Sequence, residues 1–462
     1  MFGDYEAQRH WMEITTALPI LDWYEQTEEN DLQYWGLDYP PLTAFHSWLL
    51  GKLGHLADPA CFALHSSRGH EGVGCKVFLR LSVIVSDLLV YLPGERLSAM
   101  QDPALLTSTV LLLWLLPPLV LIDHGHFQYN GVCLGLCLAA AGCVARGRTA
   151  LGSVLFTSGL LFKQIALYYA PAFFFGILGI CLWQPPAGIF NVSRRVVATG
   201  VVVLCTAALL LMPWLLSGQP VAAVLQILHR MFPFARGLYE DKVANFWCSV
   251  SVVFKVHRVL PAAYIPRLCA AVTLAALLPS ALCSLRPGAG RGAFAATLFT
   301  SSLSFFLFAF QVHEKGILFP AAAAALLPMA LPSRHVAMAV LAARHFQLVA
   351  LFSMYPLMVK DALVLPYALA CLALVAVCEA DLPPCGGAVR ALLRTSYLLG
   401  LLLHGIHAFA PVPARYPDLW TLLITSASCG YFLCSLIVVS VAQMRGLFSA
   451  TEAEDTAKQK EQ

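Results

Sequence analysis

Long apolar runs alternate with short polar segments along most of this chain, and the runs have the length that crosses a lipid bilayer. A transmembrane helix needs about 20 mostly apolar residues. By that measure the pattern predicts about thirteen spans, near residues 78–98, 104–122, 130–146, 149–168, 170–184, 195–217, 267–285, 293–310, 316–332, 336–354, 362–380, 391–410 and 420–443. Ahead of them, Ile14, Leu18 and Leu21 recur at helical spacing, as do Phe45, Leu49, Leu50 and Leu53. Both stretches predict amphipathic helices lying in a membrane interface, with Trp11, Trp23, Tyr24, Trp35 and Trp48 at the headgroup level.

Arginine sets the orientation. Counting spans alternately, one set of loops holds Arg96, Arg146 and Arg148, Arg194 and Arg195, Arg286 and Arg291, Arg334, Arg390 and finally Arg445. Positive charge in every loop of one set marks the cytoplasmic face. The polar segments of the other set then face the lumen. The expected architecture is an all-α, polytopic transmembrane helical bundle. Residues 1–77 form a luminal cap and 78–443 the bundle, with luminal loops at 123–130, 218–266 and 311–315. A disordered cytoplasmic tail follows over 444–462. Arg80 and Asp87 lie seven apart on one face of the first span and should face protein, with each other as one candidate partner.

Composition agrees. Of 462 residues, 59% are hydrophobic and only 12% charged, too few to cover a soluble surface. The net charge of +3 gives no reason to expect nucleic acid. Most of the 15 cysteines sit in apolar runs as small hydrophobes, and only Cys61, Cys75 and Cys248 are placed for a disulfide. No cysteine or histidine spacing matches a zinc site, so no metal is expected. The first residues lack the apolar core of a signal peptide.

Five polar motifs share the luminal side: GDYEAQRHW, QYWGLDYPPLTAF, DHGHFQYNG, HRMFPFARGLYEDKVANFW and QVHEK. Asp4 and Glu6 read either as a solvated loop or as carboxylates able to take a proton from a sugar hydroxyl. Asp38 precedes Tyr39 and two prolines that fix its backbone. Asp123, His124, His126, Gln128, Tyr129 and Asn130 crowd into eight residues. The paired histidines could hold a metal, but a hydrogen-bonding array for a polyhydroxylated ligand fits better. Arg230, Arg236 and Lys242, interleaved with aromatics, read as a solvated lid helix or as a phosphate clamp. His313, Glu314 and Lys315 open a span, which adds a helix N-terminus to two potential cations. Lys163 is buried in sequence but close to the luminal end of its span.

These motifs, with SRG, FKQIALYYAP, SFFLFAFQVHEK and YPDLW, make the chain resemble the endoplasmic-reticulum α-1,3-glucosyltransferases of lipid-linked oligosaccharide assembly. These enzymes belong to the polytopic C-type glycosyltransferase (GT-C) superfamily. The likeness runs nearly end to end. It implies a dolichyl-phosphate-β-glucose donor and a Man9GlcNAc2-diphosphodolichol acceptor, glucosylated on a mannose 3-hydroxyl with inversion and without a metal or cofactor. It implies an endoplasmic-reticulum membrane location with a luminal site. It places the family's catalytic carboxylate on Asp4 and a second family acid on Asp38. Family members carry a transmembrane helix ahead of the GDYEA motif, so this chain is expected to start downstream of one.

The expected site follows. Asp4 is the base. Glu6, His10, Trp11, Asp38, Tyr39, Asp123, His124, His126, Gln128 and Tyr129 bind the sugars. Arg236, His313 and Lys315 stabilise the donor phosphate, with Arg230 and Lys163 in reserve. Two other readings stand beside this one. The sister enzyme that adds the second glucose shares the DYPP element. A lipid-linked oligosaccharide flippase would also need many spans, though it would place ionisable residues at mid-bilayer rather than at one face.

Overall fold

A computed structural model describes residues 4–94, 113, 116–186, 188–232 and 242–448. Among them the chain is helical, with no strand. It divides into two compact units. One comprises Met1–Met100, Leu119–Leu167 and Ile180–Ala235, the other Gln101–Pro118, Tyr168–Gly179 and Arg236–Gln462.

In the first unit, α1 (Tyr5–Ala17) packs on α2 (Pro41–Ala57). The next helix, α3 (Val73–Ser86), continues through a π-helical turn, Asp87–Tyr91. A second π-helical segment, Val120–Phe127, leads to α4 (Asn130–Ala145), which packs on α5 (Thr149–Phe162). Gly94 and Gly135 let the end of the α3 helix meet α4 backbone to backbone, since a Cβ on Gly94 would collide with the Gly135 carbonyl. Further helices are α6 (Ala170–Trp183), which belongs to the second unit up to Gly179, and α7 (Ile189–Leu210) and α8 (Pro220–Met231) in the first.

The expectation for the first 77 residues needs correction. Ile14 is fully buried, and Trp11, Trp23 and Tyr24 are buried rather than at a headgroup level. They form a cap core with Leu37, Ala44, Trp214, Ile227 and Met231, so α1 is a core helix. Only Trp35 and Trp48 stay exposed. The exposed apolar edge belongs to α2, at Leu49 and Leu53. Asp4 and Glu6, expected in a loop, sit at the mouth and in the first turn of α1.

A disulfide joins Cys61 to Cys75, two of the three cysteines singled out. Cys248 is buried and outside that disulfide. Arg80 and Asp87 do face protein, but not each other. Arg80 donates to the carbonyls of His124 and Gly125, and Asp87 accepts from the His124 ring at 2.9 Å.

The second unit is built on α9 (Ile265–Cys283), α10 (Gly290–Phe308), α11 (Leu318–Leu326), α12 (Ser333–Ser353), α13 (Val364–Ala380), α14 (Gly387–Phe409) and α15 (Leu419–Met444). Its centre is α10, 83% buried. The α10 hydroxyls resolve their own burial by bonding back one turn: Thr297, Thr300, Ser302 and Ser304 each donate to the carbonyl four residues earlier. Helix α7 is the opposite case, apolar and wholly unburied, as a lipid-facing span would be.

Six helices among the described residues are long and apolar enough to cross a membrane, and three apolar ones are shorter. The count of about thirteen is not reached by that standard. The expected span at 130–146 is matched by α4 but is only 16 residues long, and that at 149–168 stops at Phe162 as α5. The one at 316–332 is cut into a 3-10 turn, α11 and another 3-10 turn, with Pro328 at the break after α11. The span at 104–122 and Arg236 lie largely or wholly outside the described residues. Two contacts join segments placed on the same side by the arginine pattern: Lys242 with Asp418 at 2.9 Å, and Arg286 with the Met444 carbonyl at 3.1 Å.

Candidate active site

The GDYEAQRHW motif divides into two faces once it is helical. Glu6, Arg9, His10 and Glu13 are held inward. Arg9 is fully buried and donates to Glu6 at 2.6 and 2.9 Å, to Glu13 at 2.9 Å, to Ser67 at 2.6 Å and to the Cys61 carbonyl at 3.0 Å. Glu13 also accepts from the His65 backbone N–H at 2.7 Å and faces the His10 ring at 3.1 Å. Burial alone would raise both carboxyls. The His10, His65 and Arg9 donors overcome it at Glu13 and hold it at about 2, and Arg9, Gly69 and Tyr34 hold Glu6 below its ordinary range. Glu6 and His10 were expected to bind sugar. Here Glu6 accepts from the Gly69 N–H at 3.2 Å, and His10 is buried beside Glu13 and the edge of Tyr34. Trp11 is also buried, donating to the Trp35 carbonyl at 2.8 Å with its ring against Tyr39 at 4.7 Å.

Asp4 behaves differently. It stands at the N-cap position of α1, yet its side chain makes no cap bond. Its carboxylate is 27% exposed, accepts from the Gln128 amide and lies 3.4 Å from the His126 ring. The helix dipole favours its charge. The chain reaches this arrangement through a local contortion. Phe127 adopts a positive φ of 82° at the end of the π-helical segment, and Gln128 is fully extended. The Asp4 backbone N–H meets the His126 carbonyl at 3.3 Å. Such strained, π-helical backbone persists where surrounding contacts over-determine it.

Behind Gln128 lies a buried polar chain. Lys163 donates from one ammonium to Gln128 Oε1 and to Asn130 Oδ1, both at 2.6 Å, and sits 4.7 Å over the Tyr39 ring. The Asn130 amide donates to Asp123 at 2.7 Å and to Gln128 Oε1 at 2.9 Å, and the Gly131 N–H donates to Asp123 at 2.7 Å. Asp123 is fully buried; burial and the Asp87 charge push it up to about 7 against the pull of those donors and Lys163. A Cβ at residue 131 would run into the Asp87 carboxylate, so glycine there lets α4 and Asp87 approach closely. The hydrogen bond to Asp87 raises His124, while Tyr129 is buried against the Ser82 hydroxyl at 2.7 Å.

Asp38 and Tyr39 lie on a loop fixed from outside. Arg230 on α8 donates to the Gly36 and Leu37 carbonyls at 2.9 and 3.1 Å, Tyr24 donates to the Tyr39 carbonyl at 2.8 Å, and Gln164 donates to the Asp38 carbonyl at 3.2 Å. Arg80 and Asp87 were not expected among the site residues. Their polarity inside apolar stretches was the available signal. In the second unit, exposed His313 precedes a 3-10 turn, Glu314–Ile317, that opens α11, and Lys315 lies in that turn. Among the described residues no group of three or more His, Cys, Asp or Glu is arranged to hold a metal ion.

Residues 1–438 match the ALG6, ALG8 glycosyltransferase family. The chain is 41% identical to a Drosophila melanogaster protein named "Probable dolichyl pyrophosphate Man9GlcNAc2 alpha-1,3-glucosyltransferase", over 97% of this chain and 94% of that one. It is 40% identical to the Gallus gallus "Dolichyl pyrophosphate Man9GlcNAc2 alpha-1,3-glucosyltransferase", over 96% of this chain and 90% of that one. The Rattus norvegicus protein of the same name is 36% identical, over 96% and 91%.

Proposed function

Because this chain belongs to the ALG6, ALG8 glycosyltransferase family, we propose that it is an α-1,3-glucosyltransferase that glucosylates Man9GlcNAc2-diphosphodolichol. The donor is dolichyl-phosphate-β-glucose, the membrane is that of the endoplasmic reticulum, and the site is luminal. One observation carries the mechanistic part: Asp4, in the motif that resembles the family's catalytic one, holds a carboxylate that caps nothing and stays partly open to solvent.

The reaction is a single displacement. The mannose 3-oxygen attacks the glucose anomeric carbon and forms the new C–O bond while the bond from that carbon to the phosphate oxygen breaks. Asp4 takes the hydroxyl proton, and dolichyl phosphate leaves with the bonding electron pair, giving inversion. A phosphate monoester is a good leaving group, so cations near it need only meet its growing charge. That role falls to His313 and Lys315. Tethering both substrates in one bilayer lowers the entropic part of the barrier by several kcal/mol, on the order of that seen for oriented intramolecular reactions.

The test is transfer by purified protein between short-chain donor and acceptor. A monoglucosylated, α-1,3-linked product is expected. No product would favour a flippase, and activity only on an already monoglucosylated acceptor would favour the sister reaction.

A further inference from the structure

We infer that Lys163 is a positioning residue for the Asp4 base, acting through the side-chain amide of Gln128, rather than a ligand of the donor phosphate. The inference rests on the reading of Asp4 given above and deepens it. An amide has one accepting end and one donating end. In this structure the accepting Oε1 of Gln128 is held by the Lys163 ammonium at 2.6 Å and by Asn130 at 2.9 Å. The donating Nε2 is therefore the end left for Asp4, and it meets Oδ2. The direction of the amide decides whether the catalytic carboxylate sees a donor or a second acceptor, and the cation sets that direction.

Lys163 is placed for this. It ends α5 in extended backbone, is 7% exposed, and lies between Gln128, Asn130 and the face of Tyr39. A cation beyond the last turn of a helix is favoured by its dipole. The neighbouring Gln164 donates to the Asp38 and Met231 carbonyls, so residues 163 and 164 together register the Asp4 motif against the Asp38 loop. Without the ammonium, Gln128 Oε1 keeps only the Asn130 contact. The amide is then free to turn its oxygen toward Asp4, which disfavours the charged carboxylate and lets it drift.

The experiment is steady-state kinetics against donor concentration and pH for wild type, Lys163→Met, Gln128→Leu and the double variant, with thermal unfolding of each. The inference predicts that each single change lowers kcat by about 10- to 100-fold, as sub-ångström misplacement of a reacting group does. Donor KM should stay within about threefold, and the acid limb of kcat/KM should move to higher pH by about one unit, because the carboxylate has lost a donor to its charged form. The double variant should be no worse than Gln128→Leu, since both act on one contact.

A donor KM raised tenfold or more with kcat kept, or losses that multiply in the double variant, would overturn the inference and return Lys163 to the phosphate. If Lys163→Met does not fold, Gln128→Leu and Lys163→Gln carry the same comparison. Asp4→Asn separates the two layers: full turnover there sinks the base reading itself, whereas an inactive Asp4→Asn beside multiplicative losses sinks this inference alone.

Discussion

The Arg9 and Lys163 networks lie in the same unit and both bury a cation, yet one closes on itself and the other stops at a carboxylate in contact with solvent. Arg9 is matched by two acids, a hydroxyl and a carbonyl, all buried or nearly so. Lys163 faces neutral amide oxygens, and its charge is passed through them to Asp4 and Asp123. A closed ion network is a fastener. Breaking it leaves an uncompensated charge, which is costly. A network that ends on an exposed carboxylate instead fixes where that oxygen lies and leaves it able to take a proton. The GDYEAQRHW motif thus does two jobs on one helix, with Asp4 turned toward the site and Glu6, Arg9 and Glu13 holding the cap.

The contrast can be broken from the structural side first. Glu13→Gln should destabilise the cap by about 3–5 kcal/mol, the cost of stranding a buried partner, and thermal unfolding would read it. The same group gives a pH dependence. Its folded value lies near 2, below that of an unfolded glutamate. Its stabilisation is therefore complete above about pH 4.3 and is lost as pH falls toward 2, so the stability of Glu13→Gln should fall less than that of wild type across that window. A transition identical to wild type would make the Arg9 network ornamental. Next in size, Cys61→Ser with Cys75→Ser opens a loop of 14 residues and should cost about 2–4 kcal/mol without changing the pH profile of the surviving enzyme. A shifted acid limb there would mean that the cap and the base are not separable.

The smallest expected effect is kinetic. Lys315→Ala should raise donor KM by about tenfold, roughly the 1.4 kcal/mol of one charge-assisted contact, and leave acceptor KM alone. An unchanged donor KM would remove Lys315 from the phosphate role.

Much of this was legible from local pattern. The apolar runs mark the helices because hydrophobic length is a property of the run itself, and α9, α10, α12 and α15 fall within a few residues of expectation. What the pattern could not carry was partnership at long range. Glu6, Arg9 and Glu13 look like the wet face of an interfacial helix until Cys61, His65 and Ser67, more than 50 residues on, supply their partners. His124 reads as a sugar ligand until Asp87 is placed beside it. Asp4 stands out in the sequence because its motif is distinctive. The turn that aims Gln128 at it depends on Phe127 in a left-handed conformation, which no feature of that side chain announces.

Glucose transfer by purified Asp4→Asn, set beside its thermal stability, tests the central claim most directly. Removing a general base costs about 100- to 10,000-fold in rate. A loss of at least about 100-fold in kcat is expected, with the unfolding midpoint within a few degrees of wild type, because asparagine keeps the size of Asp4 and an oxygen that can accept from Gln128. Turnover within about threefold of wild type would contradict it and require another group to accept the mannose proton.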